Sequence, residues 1–169
     1  AERRLLDKIC ADFTAVYYVE LNTGSFEILH INDGTNVKKM NLKQGDNFNS
    51  SADQYAVQYL YEKERQEFKD WISTGHLKEQ LSRKERITYH YRSKPNPNQH
   101  EFFEAQAVKI YEDEKHFFAL VGFRHIDDIM EKETTIQNQL KQALDEARLS
   151  NEIISAIAKS YCSIYGIDV

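Results

Sequence analysis

Glycine occurs only six times in 169 residues and never in clusters. The chain therefore has neither the phosphate-cradling loop nor the G-x-G-x-x-G turn that nucleotide-binding folds use. Its two cysteines, Cys10 and Cys162, form no C-x-x-C and do not resemble a bridged pair, so the expected setting is reduced and cytoplasmic. The six histidines make no H-E-x-x-H, and no serine sits in a G-x-S-x-G elbow. No apolar run approaches the roughly 18 residues of a membrane span. Ala1 to Asp12 is charged and amphipathic, without the apolar centre of a signal peptide. Basic residues are too few for a dedicated nucleic-acid binder: 22 Lys and Arg against 27 Asp and Glu leave a net charge of −5. These absences leave no catalytic residue and no metal ligand to name. The chain is expected to work by binding, without nucleic acid and without membrane contact.

What is present has the composition of a globular domain, with 41% hydrophobic and 29% charged residues. Local patterns divide it. Val16 to Leu21 alternates, "NTG" turns, and Phe26 to Ile31 continues, which is a hairpin with Gly24 in the turn. Asn32 to Asn49 is polar and Asn-rich, and short turns or a partial strand are expected there. Ser50 to Lys63 reads as a helix capped at "SSAD", with Tyr55, Tyr59 and Leu60 near one face. Phe68, Trp71 and Ile72 mark a second short helix ended by "STG", and His76 to Ser82 adds a further turn or two.

The period then changes from helix to strand. In "ITYHYR", Ile87, Tyr89 and Tyr91 fall on one face and Thr88, His90 and Arg92 on the other. "SKPNPNQ", which holds both prolines, is a turn. "HEFFEAQAVKIY" is a long strand with Phe103, Ala105 and Ala107 on one face. "HFFALVGFRHI" is apolar on both faces and reads as the central strand. Strands are thus expected near 16–21, 26–31, 86–93, 100–111 and 116–125. The fold class is α+β: one five-stranded antiparallel sheet with short helices against one face.

On these residues the chain resembles a PAS domain. "YYVELNTGSFEIL" is similar to that family's first hairpin, and "LSRKERITYHYRSKPNPNQHEFFEAQAVKIYEDEKHFFALVGFRHIDDIMEKE" to its C-terminal half. The resemblance covers residues from about 5 to 133 and places the domain at 13–127, after an N-terminal helix at 1–12. Two positions depart from the family's closing motif: His125 stands where Asp is usual and Asp127 where Thr is usual, although Asp127 can still cap a helix. The resemblance implies a sensory or regulatory module, and no motif requires a cofactor. Flavin attachment in such domains uses a cysteine in the central helices, and none lies between Cys10 and Cys162. Haem-binding members use a histidine such as His76, which more often is simply exposed. Tyr17, Phe26, Tyr59, Trp71, Tyr89, Tyr91 and Phe103 are candidate lining for a small-molecule pocket; the alternative is that these rings fill the core.

The segment "DDIMEKETTIQNQLKQALDEARLSNEII" contains neither Gly nor Pro and opens with a D-x-x-E capping box at Asp128 and Glu131. Ile129, Ile136, Leu140, Ala143, Ala147, Ile154 and Ile157 form one stripe of 4-3 spacing, interrupted by Glu133 and Ser150. That is a coiled-coil seam with weak points, and a homodimer is the expected partner state. The alternative is a terminal helix folded back on its own sheet. Leu5–Leu21 and Ile153–Val169 also align without a gap, Ile9 with Ile157 and Tyr17 with Tyr165. The expected organisation is a signalling helix at 128–152 followed by the truncated start of a second domain at 153–169. In the PAS family the downstream output is commonly a diguanylate cyclase, a cyclic-dinucleotide phosphodiesterase or a histidine kinase.

Overall fold

The computed structural model describes residues 8, 10–40, 42, 43, 45–95 and 100–164, with backbone alone at 149, 153, 157 and 160–164. The expected helix at 1–12 and strand at 165–169 lie largely or wholly outside these residues. The chain divides into two units, Ala1–Asp127 and Asp128–Val169.

The first unit holds a five-stranded antiparallel sheet of β1 (Ala15–Glu20), β2 (Phe26–Ile31), β3 (Arg86–Arg92), β4 (Phe102–Glu112) and β5 (Phe117–His125). The order across the sheet is β2-β1-β5-β4-β3, so β5 is central, as its two-sided apolar pattern leads one to expect. Alternation assigns the faces. Ala15, Tyr17 and Val19 of β1, Phe117, Ala119, Val121 and Phe123 of β5, and Phe103, Ala105 and Ala107 of β4 all enter one core. Gly122 points the opposite way, where a side chain would collide with the Phe13 ring at 2.9 Å.

Four helices join β2 to β3: α1 (Asn36–Met40), α2 (Phe48–Tyr59), α3 (Glu62–Ile72) and α4 (Thr74–Leu81). Phe48, Tyr55 and Ala56 of α2, Phe68 and Ile72 of α3, and Leu77 and Leu81 of α4 join the same core. Burying a large apolar side chain contributes about 1.5–3 kcal/mol. That matters here because these helices span only 5 to 12 residues and would be marginal in isolation.

The structure corrects the reading of this region in three places. The polar stretch after β2 contains the short helix α1. The helix expected over 50–63 is two helices, broken at Leu60 and Tyr61, which are both extended. No Gly or Pro causes the break. Leu60 is fully buried and bridges Ser93, while the Lys94 amide donates to the Tyr59 carbonyl at 2.7 Å. Tertiary pairing there outweighs helix propensity. The cap of α2 is Asn47, whose Oδ1 accepts the Ser50 amide at 3.3 Å, and not the serines after it. Asn47 Nδ2 also donates to the Thr23 carbonyl, tying α2 to the first hairpin turn.

The described residues of the second unit belong to one helix, α5 (Asp127–Ile164), of 38 residues or about 57 Å. It begins two residues earlier than the capping box requires. Asp128 therefore lies inside the first turn, and its side chain forms no hydrogen bond among the described residues. No helix among the described residues is long and apolar enough to cross a membrane.

Candidate functional site

Between the sheet and helices α1 to α3 lies a cavity of about 40 Å³. Its wall combines Tyr17, Phe26 and Phe123 from the sheet, Phe48, Ser51 and Tyr55 from α2, Phe68 and Ile72 from α3, Tyr91 from β3, and Val37, Met40 and Leu42 around α1. Tyr17 packs edge-on against Phe26, Phe48 and Phe123 at 5.8, 6.2 and 5.9 Å between centroids, an arrangement that suits the charge distribution of aromatic rings.

Three phenols and the Ser51 hydroxyl give this apolar space its polar content. The Tyr55 and Tyr91 hydroxyls lie 3.4 Å apart and share a hydrogen bond. The Tyr17 hydroxyl forms none among the described residues, although Tyr17 is only 4% exposed. Burial pushes all three phenols up. Tyr55 reaches about 12, with its Tyr91 and Ser93 bonds working in the opposite direction. Tyr91 and Tyr17 stand well above the ordinary tyrosine value, each raised further by the nearby Tyr55. They are neutral hydrogen-bonding groups at any physiological pH.

Of the seven aromatic residues singled out from the sequence, Tyr17, Phe26 and Tyr91 line this cavity. Tyr59 packs against Tyr55 at 5.6 Å without entering the wall. Trp71, Tyr89, Tyr91 and Phe103 form a stacked row at 5.4, 6.1 and 5.7 Å that runs from the half-buried edge of the unit inward. Burial, with Glu67 and Glu64 nearby, raises Tyr89 to about 12. His76 stands beside Trp71, where its Nδ1–H donates to the Trp71 carbonyl at 2.8 Å, and is not part of the cavity wall. Sequence reasoning missed Tyr55, Phe48 and Phe68 as wall residues. Tyr55 was legible as part of a helix face, but not as the partner of Tyr91.

The exit from the sheet is built around His125 and Asp127. The His125 ring stacks on His100 at 3.7 Å, with the planes 10° apart. Asp127 Oδ1 accepts the amides of Glu101 and Phe102 at 3.0 and 3.3 Å, and the Ile126 amide donates to the Phe102 carbonyl. The Asp127 carboxylate thus holds the start of β4, where a cap of its own helix was expected. Its Oδ2 is buried and has no partner among the described residues.

Along α5, Ile129, Ile136, Leu140 and Ile154 of the expected stripe are exposed, Ile136 and Leu140 by 62% and 60%. Ala143 and Ala147 are exposed as well. Leu144, 61% exposed, adds a large apolar residue beside the stripe that the strict 4-3 spacing passed over. The side chain of Ile157 lies outside the described residues. Compared with models of known protein families and with curated proteins, the chain matches none of them.

Proposed function

We propose that the chain is a sensory or regulatory module of the PAS type. In this reading it works by binding and not by turnover. The α+β unit receives a ligand or a partner, α5 pairs with its copy in a homodimer, and the dimer passes a change to an output domain downstream, such as a diguanylate cyclase, a phosphodiesterase or a histidine kinase. The reading is supported by the element order: two strands, four short helices, three strands, then a long helix that starts at the residue after Ile126. The observation that carries it is the exposed stripe Ile129, Ile136 and Leu140 on that helix. Singly exposed apolar residues are common on any surface, but a row at 3.5-residue spacing is what a second helix covers.

The test is sedimentation of the chain carrying Ile136→Lys with Leu140→Lys. The parent is expected to sediment as a dimer, and the variant as a monomer with an unchanged sheet signal in circular dichroism. A variant that sediments as the parent does removes the seam and the relay with it.

A second reading is an assembly module with no ligand, in which the helix alone sets dimer geometry. The small cavity favours it, because ligand pockets commonly measure about 300–1,000 Å³. Mass spectrometry of small molecules released from the purified protein separates the two.

A further inference from the structure

We infer that the cavity under α1 and α2 takes a compact, uncharged organic molecule with a hydrogen-bond-accepting oxygen, and that the Tyr17 hydroxyl recognises it. This rests on the sensory reading of the α+β unit.

Charge is excluded by the wall. None of the lining residues among those described is ionised, since the polar groups are three phenols and Ser51. Burying an unpaired carboxylate or ammonium costs several kcal/mol, and nothing in the wall offsets it. The need for an acceptor comes from Tyr17. Tyr17 lines the cavity and its hydroxyl has no protein partner among the described residues, whereas the Tyr55 and Tyr91 hydroxyls satisfy one another at 3.4 Å. A hydroxyl that faces a largely apolar space without a protein partner gains a hydrogen bond when an accepting oxygen enters.

Size follows from the space. On the measure by which one water needs about 10–15 Å³, a cavity of about 40 Å³ holds roughly three waters. That suits a branched alcohol, ketone or amide of a few heavy atoms. Met40, an unbranched and adaptable side chain in the wall, allows a little more.

The test uses three molecules of one shape: isobutanol, isobutyrate and isobutylammonium. Each is titrated into the full chain, following the Met40 methyl signal by NMR. Isobutanol is expected to saturate the shift, and the two ions to bind at least 10-fold more weakly. Tyr17→Phe is expected to weaken isobutanol about 5- to 10-fold, the effect of one neutral hydrogen bond. The same variant should leave xenon binding unchanged, because xenon needs only volume. Ala52 of α2 also lines the cavity, and Ala52→Leu, which fills the space, is expected to abolish both. The inference is overturned if isobutanol does not saturate, which means the cavity holds water only. It is also overturned if isobutyrate binds equally, or if Tyr17→Phe leaves isobutanol binding intact. Loss of isobutanol binding in a chain that still dimerises through Ile136 and Leu140 defeats this inference and leaves the assembly reading standing. Binding of isobutanol in a chain indifferent to the lysine substitutions defeats the relay instead.

Discussion

The Glu20 carboxylate, at the end of β1, accepts the amide proton of Phe117, 97 residues later, over 2.9 Å. Its other oxygen accepts the Thr23 amide over 2.7 Å. One buried side chain therefore fastens the first hairpin turn to the head of the central strand. Glu20→Ala strands the Phe117 amide in a position closed to water. The expected loss is about 1–3 kcal/mol of unfolding free energy, read from the midpoint of a urea transition. A variant within 0.3 kcal/mol of the parent would show that the bond holds nothing together.

Two carboxylates give the stability a defined acid limb. Burial pushes Glu20 up, but the amides of Phe117 and Thr23 outweigh it and hold the group below the ordinary range. Glu104 behaves alike: burial raises it, while bonds from Gln106, His90 and Arg124 bring it lower overall. A carboxyl depressed in the folded state contributes stability that is fully present above its unfolded value, about 4.3, and is lost as pH falls through the lower folded value. The parent should therefore lose melting temperature below about pH 4.3, and Glu20→Gln with Glu104→Gln should flatten that limb. Equal slopes for the two proteins between pH 5 and pH 3 would argue that other groups set it.

Gly24 and Gly75 should respond oppositely to alanine. Gly24 has φ of +79°, and a Cβ there would lie 2.5 Å from Asn47 Nδ2, the group that joins α2 to the turn. Gly24→Ala is expected to cost about 1–3 kcal/mol through strain and the disturbed cap. Gly75 stands within α4 with nothing inside 4 Å of an added Cβ, so Gly75→Ala should be neutral or stabilising by up to about 1 kcal/mol. Thermal melts of the two variants decide the matter, and a reversed order would sink the assignment of the turn.

The seam on α5 should tighten when its polar interruptions are removed. Glu133→Leu with Ser150→Leu makes the stripe from Ile129 to Ile154 continuous except at its alanines, and should lower the dimer dissociation constant at least 10-fold by sedimentation equilibrium. A substitution at Leu144, beside the stripe, should act in the opposite direction: Leu144→Lys weakens the dimer without abolishing it. If Leu144→Lys has the larger effect of the two, the stripe is centred on the wrong residues.

Most of the sheet was legible because its signals are local. Alternation in Ile87–Arg92 and Phe103–Ala107 needs only a period of two, and Gly24 marks the turn before Phe26. The central strand could be named because Phe117 to Phe123 is apolar on both sides. The helices were less legible. The break at Leu60 carries no breaker residue and arises from pairing with Ser93, 33 positions away, which no local window contains.

By itself, the sequence determined the α+β class, the face that β3 and β4 turn to the core, and the helical stripe with its two polar interruptions. These depend on side-chain spacing along one element. Tertiary structure decided which rings meet. Tyr17, Phe26 and Tyr91 reach one cavity, whereas Trp71 and Tyr89 stack outside its wall, although Tyr89 and Tyr91 share one face of β3. It also joined Tyr55 to Tyr91, and Asp127 to the amides of Glu101 and Phe102, pairs separated by 36, 26 and 25 positions. Such partners are chosen by strand order and helix placement, which follow from the burial of the whole core and not from any stretch of chain within it.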